Sequence, residues 1–290
     1  MAFADPVSRT ARLTAAARAR ESARPDRLFD DPWAAALAGA EGVAFLKQME
    51  EAGRVPGTPG PSENPYFAIR TRLLDDFLTG AVTAPQADQP VRQVVILAAG
   101  LDTRAFRLPW SEGTRVYELD HPDVLAAKQA TMDAAGAVPR CQRRTIGVDL
   151  AKPWAAPLEA AGYRRAQPSA WLVEGLFPYL DEAGVDGVLT TCTELAAPGA
   201  RLACDIVGRS FLESPFTRAH LDLMAREGAP WRFGTDAPEA LFAAAGWDAI
   251  ALRPGDEGAS FGRWPFPPYP RDTPGLPQTF MVFATRRSPG

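Results

Sequence analysis

From residue 91 onward the chain alternates short apolar runs with helical stretches, and that rhythm constrains the fold more than any other feature. VVILAAG at 94–100 is apolar throughout and lacks the alternation of a half-exposed strand, so it reads as a strand buried on both faces. TRVYELD at 114–120, RRTIGVDL at 143–150, SAWLVE at 169–174 and RLACDIVG at 201–208 follow in the same style. Between them fall a helix opening at Pro122 and another over 181–196, which starts at Asp181–Glu182 and stops near Pro198–Gly199. A helix over 237–245 leads through Gly246 into WDAIALR at 247–253, and QTFMVFATR at 278–286 is a seventh strand. Strands alternating with helices require right-handed crossovers. The expected fold is therefore α/β, with a Rossmann-like, seven-stranded, mostly parallel sheet.

The first 80 residues have a different texture. SRTARLTAAARAR at 8–20 has the pattern of a basic amphipathic helix, Asp30–Asp31–Pro32 reads as the start signal for WAAALAG, and YFAIRTRLLDDFLT at 66–79 is again helical. A Gly- and Pro-rich loop at 52–65 and a linker, APQADQP, complete this part. We expect a helical cap over 1–80 and a main domain over 91–290. Residues 208–235 break the strand–helix rhythm after the fifth strand and form an insertion containing Phe211, Phe216, Met224, Trp231 and Phe233. Those side chains either join the core or line a substrate pocket. The run WPFPPYPRDTPG at 264–275 is either a hairpin-like connection or part of a substrate mouth.

Several function classes fall away. A net charge of −4 provides no global field for nucleic acid or anionic lipid. No run approaches the roughly 18 apolar residues of a membrane span, and no apolar segment of signal-peptide type follows the N-terminal arginines. The expectation is a cytoplasmic protein with no membrane or nucleic-acid partner. Cys141, Cys192 and Cys204 are too few and too scattered for a disulfide framework or a zinc site, so no metal is expected.

The chemistry gathers at the strand ends. The first strand runs into Ala98–Ala99–Gly100–Leu101–Asp102, whose small residues let a ligand approach the backbone at the carboxyl end of a central strand. Asp120 ends the second strand about 20 residues later, the spacing at which a carboxylate accepts hydrogen bonds from ribose hydroxyls. Asp149 and Glu174 close the third and fourth strands, so three successive strands deliver a carboxylate to one edge. There is neither a Gly-Lys-Ser/Thr phosphate cradle nor a GxGxxG fingerprint. The carboxylates suit a cationic nucleoside such as S-adenosylmethionine better than a polyphosphate, and the absent fingerprint argues against a nicotinamide-dependent oxidoreductase.

RLFDDPWAAALAG, AIRTRLLDDFL, VVILAAGLDTRAFRL, VYELDHPDVLAAK, VDL at 148–150, LVEGLFPYL and FGTDAPEALFAAAGW together resemble the leucine carboxyl methyltransferase superfamily, in particular its bacterial branch of polyketide-type O-methyltransferases. The resemblance implies a class I methyltransferase fold, S-adenosylmethionine as cofactor and a small-molecule acceptor. It implies that Arg70 grips the methionine carboxylate, with Arg72 as the alternative, and that Ala98 to Gly100 pass under the methionine moiety. It further implies that Asp120 holds the ribose, that Asp149 and the backbone of Leu150 read the adenine edge, and that Glu174 faces the amine. Ala98 departs from a family pattern that often has glycine there. A non-catalytic S-adenosylmethionine-binding protein is the alternative reading.

A carboxylate acceptor needs no base, whereas a phenol benefits from one. Only two histidines are present. His121, next to Asp120, belongs near the ribose. His220 lies in the insertion and either faces the acceptor or sits on a lid surface. By the resemblance, Tyr179 is a pocket candidate with the core as its other possible place. Tyr179 and His220 are the catalytic candidates.

Overall fold

The computed structural model describes residues 6–53, 63–83, 90–266 and 269–288. The expected linker over 84–89 and most of the Gly- and Pro-rich loop, 54–62, lie outside the described residues. Three long helices come first, α1 (Pro6–Ser22), α2 (Ala34–Ala52) and α3 (Tyr66–Thr83). They are followed by β1 (Gln93–Leu97), a short α4 (Arg104–Arg107), β2 (Arg115–Asp120), α5 (Pro122–Ala134), β3 (Gln142–Gly147), α6 (Ala155–Ala160) and β4 (Ser169–Val173). A 3-10 turn over Phe177–Tyr179 leads into α7 (Glu182–Leu195) and β5 (Arg201–Val207). The insertion holds α8 (Arg209–Glu213) and α9 (Arg218–Arg226), and the chain ends with α10 (Pro238–Ala244), β6 (Trp247–Leu252) and β7 (Thr279–Arg286). Each of the seven strands expected from the apolar runs is present.

The sheet order is β3-β2-β1-β4-β5-β7-β6. β1 pairs in parallel with both β2 and β4, and β7 runs antiparallel between β5 and β6. β6 and β7 are thus adjacent antiparallel strands connected through the Pro-rich run, and Trp264, Phe266 and Tyr269 of that run also line the cavity at the carboxyl ends of the strands. The connection after β1 goes to one side and that after β4 to the other. Their divergence opens the crevice at the carboxyl ends where this sheet class binds ligands.

Helices cover both faces of the sheet. Val94, Ile96, Ala170 and Leu172 face a core shared with Leu13 of α1, Leu37 and Phe45 of α2, Leu74 and Leu78 of α3, and Leu223 of α9. Val95, Leu97, Trp171 and Val173, the alternate positions, face Leu158 of α6, Val185 and Leu189 of α7 and Phe242 of α10. Burial on both faces is why these strands read as unbroken apolar runs. α1 and α2 cross closely at Gly42, where a Cβ would stand 2.5 Å from the Arg12 carbonyl oxygen.

Local sequence fixes the helix starts. Pro122 opens α5 with its ring at a position where no backbone N–H is needed. Asp181 caps α7, its carboxylate accepting from Gly184 N at 2.8 Å. Asp31, read as part of a start signal, does accept from Trp33 N at 3.3 Å, just ahead of α2.

The turn after β1 is built in the left-handed region, with φ of 50° at Ala98 and 41° at Gly100. Glycine adopts that conformation freely and alanine does so at a cost. The departure from the family pattern at Ala98 therefore falls on a position where glycine relieves strain. Ala98→Gly is expected to stabilise the fold by about 1 kcal/mol, the strain relieved less the extra entropy of the unfolded chain. Urea unfolding checks this: the midpoint rises while the slope stays constant.

Candidate functional site

All nine candidate residues, Arg70, Ala98, Gly100, Asp120, Asp149, Leu150, Glu174, Tyr179 and His220, line one cavity of about 1300 Å³ over the carboxyl ends of the strands. That exceeds the roughly 300–1,000 Å³ of a pocket for one drug-sized ligand and leaves room for two. The polar half lies over β1, β2 and β4, and an aromatic half lies under the insertion.

Asp120 ends β2 beneath the β1 turn. One carboxylate oxygen accepts from Gly100 N and the other from His121 N, both at 2.6 Å. Burial raises its pKa, against the pull of those two N–H groups. The positive φ at Gly100 aims that N–H at Asp120, joining the β1 and β2 ends into one platform. Asp149 is more open. Its carboxyl is held below the usual range, first by the Ala151 N–H at 3.0 Å. Leu150 follows it on the cavity wall.

Arg70 and Glu174 meet. Arg70 Nη1 donates to Asp205 Oδ2 at 2.7 Å, and Arg70 Nε stands 3.0 Å from Glu174 Oε1. Arg104 Nη1 reaches the other Glu174 oxygen at 2.6 Å. Burial works to raise the Glu174 pKa, but the guanidiniums of Arg104 and Arg70 outweigh it and hold the carboxyl low. Arg72, the alternative to Arg70, points outward and pairs with Asp76 at 2.8 Å.

These contacts belong to one buried network that sequence reasoning missed in large part. Asp31 accepts from Arg18 Nε at 2.8 Å and from Thr103 Oγ1 at 2.6 Å. Arg107 and Arg104 both bind Asp75 of α3, Arg104 through Nε at 2.7 Å, and Arg104 also contacts Asp102. Burial alone would raise Asp102, yet Arg104 and Lys128 bring it down to about 2. On β5, Asp205 accepts from Tyr66 Oη at 3.0 Å and Gly175 N at 2.6 Å in addition to Arg70. A lone acid inside the apolar run LACDIV was the available signal for Asp205. No periodicity marks Asp31, which reads as part of a helix start signal, or Asp75, which reads as an acid on a helix surface, as a member of a buried ion-pair network.

Four guanidiniums (Arg18, Arg70, Arg104, Arg107) thus face five carboxylates (Asp31, Asp75, Asp102, Glu174, Asp205). Arg70 lines the cavity, and its Nε, 3.0 Å from Glu174 Oε1, makes no well-aligned hydrogen bond. A net-negative cluster with such an arginine on the cavity wall fits a ligand that is cationic overall and carries a carboxylate. S-adenosylmethionine, with a sulfonium, an ammonium and a carboxylate, is such a ligand.

Over residues 11–193 the chain matches the profile of the leucine carboxyl methyltransferase family. The chain belongs to that family. Its relatives include a protein of Parafrankia sp. described as an S-adenosyl-L-methionine-dependent methyltransferase, 48% identical over 199 residues, 69% of this chain and 63% of that one. A similarly described protein of Mycolicibacterium gilvum is 38% identical over 293 residues, 94% of this chain and 91% of that one. This chain therefore spans less than two thirds of the first relative's length and most of the second's. Among solved structures, a protein from Thermobifida fusca described as a methyltransferase aligns with a TM-score of 0.58 and 16% identity, over 86% of this chain and 90% of that one. A DUF574 family protein from Streptomyces avermitilis aligns at 0.57 and 15%, over 92% and 98%. Those two likenesses concern the fold. The family model and these relatives place the chain in a family whose members are described as S-adenosylmethionine-dependent methyltransferases.

The aromatic half contains both catalytic candidates. The Tyr179 ring packs edge-on against Trp231 at 6.4 Å, and its hydroxyl lies beside Thr10. Burial raises its pKa. His220 faces Trp231 at 4.8 Å and Phe211 at 5.7 Å, so it turns inward and not toward a lid surface. Burial lowers its pKa to about 4. The unfolded chain takes up a proton on this histidine near 6.5, and the folded protein resists until about 4. Its contribution is fully present above pH 6.5 and is lost as pH falls toward 4. Between those pH values His220→Phe is expected to lose less stability than the wild type, a difference that urea titrations at stepped pH read directly.

Proposed function

We propose that the enzyme transfers a methyl group to an oxygen of a small-molecule acceptor of secondary-metabolite type, a carboxylate or a hydroxyl. The observation that carries this reading is the division of one cavity into a net-negative polar half and an aromatic half of separate character. When bound, S-adenosylmethionine supplies an electrophilic methyl group on a sulfonium. Asp120 holds the ribose hydroxyls, Asp149 and the backbone of Leu150 read the adenine edge, and the Ala98–Gly100 turn passes beneath the methionine portion. Arg70, oriented by Asp205, takes the carboxylate, and Glu174 takes the amine. Removing an unpaired carboxylate from water is costly, and a guanidinium offers it paired hydrogen bonds.

With the donor held by Arg70, Asp120 and Glu174, an acceptor oxygen placed by Tyr179 and His220 would be positioned to receive the methyl group. A carboxylate acceptor releases no proton, whereas the proton of a hydroxyl acceptor passes to water. Alignment in a closed, water-poor site accounts for much of the acceleration in such a transfer. In this reading residues 1–80 serve as a helical cap, and 208–235 serve as a lid that selects the acceptor. α1 of the cap touches the lid through the Arg9–Glu227 ion pair, which brings the two covers together over the cavity. Tyr179 and His220 touch the acceptor.

Calorimetry with S-adenosylhomocysteine tests the donor half. Arg70→Met is expected to weaken binding by more than tenfold, and Arg72→Met hardly at all, because Arg72 is committed to Asp76 on the outer surface. Asp120→Asn is expected to lower affinity at least tenfold, since each charge-assisted hydrogen bond is worth about 1.5–3 kcal/mol. Normal binding by all three variants overturns the placement of the donor.

A further inference from the structure

The aromatic half of the cavity is a built site with its own chemistry. Phe211 and Trp231 lie with ring centroids 5.4 Å apart at an interplanar angle of 35°. His220 closes one side at 65° to Trp231, and Tyr179 stands at 89° to the same ring. These residues come from three places, the turn after β4, α8–α9 and the segment after α9. Their convergence is therefore a product of the tertiary fold, in contrast to a stripe along one helix. All four line the cavity, and Met224 and Phe216 extend the apolar wall.

One polar atom within the box stands without a hydrogen-bond partner: His220 Nε2 is buried and unpartnered, whereas Trp231 Nε1 lies beside the Tyr179 hydroxyl. A buried nitrogen without a partner is costly, and on a residue of the cavity wall a ligand that reaches it relieves that cost. The cavity walls also disfavour an anion. Among its described lining residues stand eight carboxylates, of which Glu50, Asp102 and Glu174 are neutralised by Arg20 and Arg104 behind the wall, and three guanidiniums, those of Arg18, Arg70 and Arg253. Each of the three is already paired, with Asp31, Asp205 and Asp256 respectively. An anionic acceptor would find no arginine or lysine among Tyr179, Phe211, Phe216, His220, Met224 and Trp231, and Arg70 is taken by the donor carboxylate in the reading above.

Resting on the methyltransfer reading above, we propose that the acceptor is a neutral, planar aromatic hydroxyl compound whose ring lies against Phe211 and Trp231 and whose oxygen meets His220 Nε2. This resolves the choice between carboxylate and hydroxyl in favour of a phenol. A flat ring offers its face or edge to three aromatic neighbours, which a saturated ring of equal volume does not match. His220, weakly basic in this setting, acts as a hydrogen-bond partner that orients the oxygen and does not retain its proton.

The test uses the full chain and three probes on related skeletons: 2-naphthol, decahydro-2-naphthol and 2-naphthoate. Each is titrated by calorimetry with and without S-adenosylhomocysteine. The expected result is that 2-naphthol binds at least tenfold more tightly than the saturated alcohol and the carboxylate. His220→Phe and, separately, Trp231→Phe should weaken 2-naphthol several-fold while leaving S-adenosylhomocysteine affinity unchanged. Thermal unfolding of both variants verifies that they fold, and each suffices if the other does not. Equal binding of the saturated alcohol, preference for 2-naphthoate, or unchanged 2-naphthol affinity in a folded variant overturns the proposal. If the aromatic selectivity holds and S-adenosylhomocysteine does not bind, the acceptor site stands and the donor reading falls. If S-adenosylhomocysteine binds and no aromatic selectivity appears, the reverse is true.

Discussion

Arg70 and Asp205 form the contact on which the rest of the site depends. A guanidinium from α3 crosses the carboxyl end of the sheet and meets an acid on β5 at 2.7 Å. From there, ion pairs run without a break through Glu174, Arg104, Asp75 and Arg107 to Asp31 and Arg18. The chain of charges ties the first helix, the third helix, the β1–α4 turn and the ends of β4 and β5 into one unit. Its members are almost wholly buried, with Arg104 at 2% exposure and Asp31 at 2%. Removing charges from water offsets much of their mutual attraction, so such a network adds little net stability. What it supplies is position. Every member has at least one partner that fixes its direction, and loss of one partner leaves another as an uncompensated buried charge.

Stability comes from the two apolar layers that sandwich the sheet. The layer containing Val94 and Ile96 also includes Leu13, Leu37 and Leu74, so α1 to α3 share a core with the sheet. This places α1 and α3 over the strand ends, where Arg18 and Arg70 are needed. The ionic network then fixes the side chains that meet between those helices and the strand ends.

A division of labour follows from the cavity's two halves. Near the sheet, fixed carboxylates and backbone N–H groups create a rigid, negative surface, held by hydrogen bonds such as Gly100 N to Asp120 at 2.6 Å. Beneath the insertion, the walls are aromatic side chains on short elements, α8 having five residues and α9 nine. The first half suits one invariant cationic ligand. The second is carried by an element outside the sheet, where substitution changes the shape of the pocket without disturbing the strands.

The sequence by itself determined the elements and the edge. Buried parallel strands must be continuously apolar, so VVILAAG, SAWLVE and RLACDIVG declared themselves, and the acids at the ends of TRVYELD, RRTIGVDL and SAWLVE stood out beside them. Asp120, Asp149 and Glu174 were legible because a strand's end is a fixed place in this fold. Arg70 was named only through the family resemblance, with Arg72 as the alternative; helix geometry, which sends residues two apart to opposite sides, adds that one of the two faces the cavity and does not say which. What only the tertiary structure decided was pairing. Asp31, Asp75, Arg104 and Arg107 lie in three segments separated by dozens of residues, and no local pattern tells a buried ion pair from a solvated charge. The aromatic box was undecided for the same reason. Whether Tyr179, Phe211, His220 and Trp231 join a core or bound a cavity depends on the space between them, which the packing of distant elements sets.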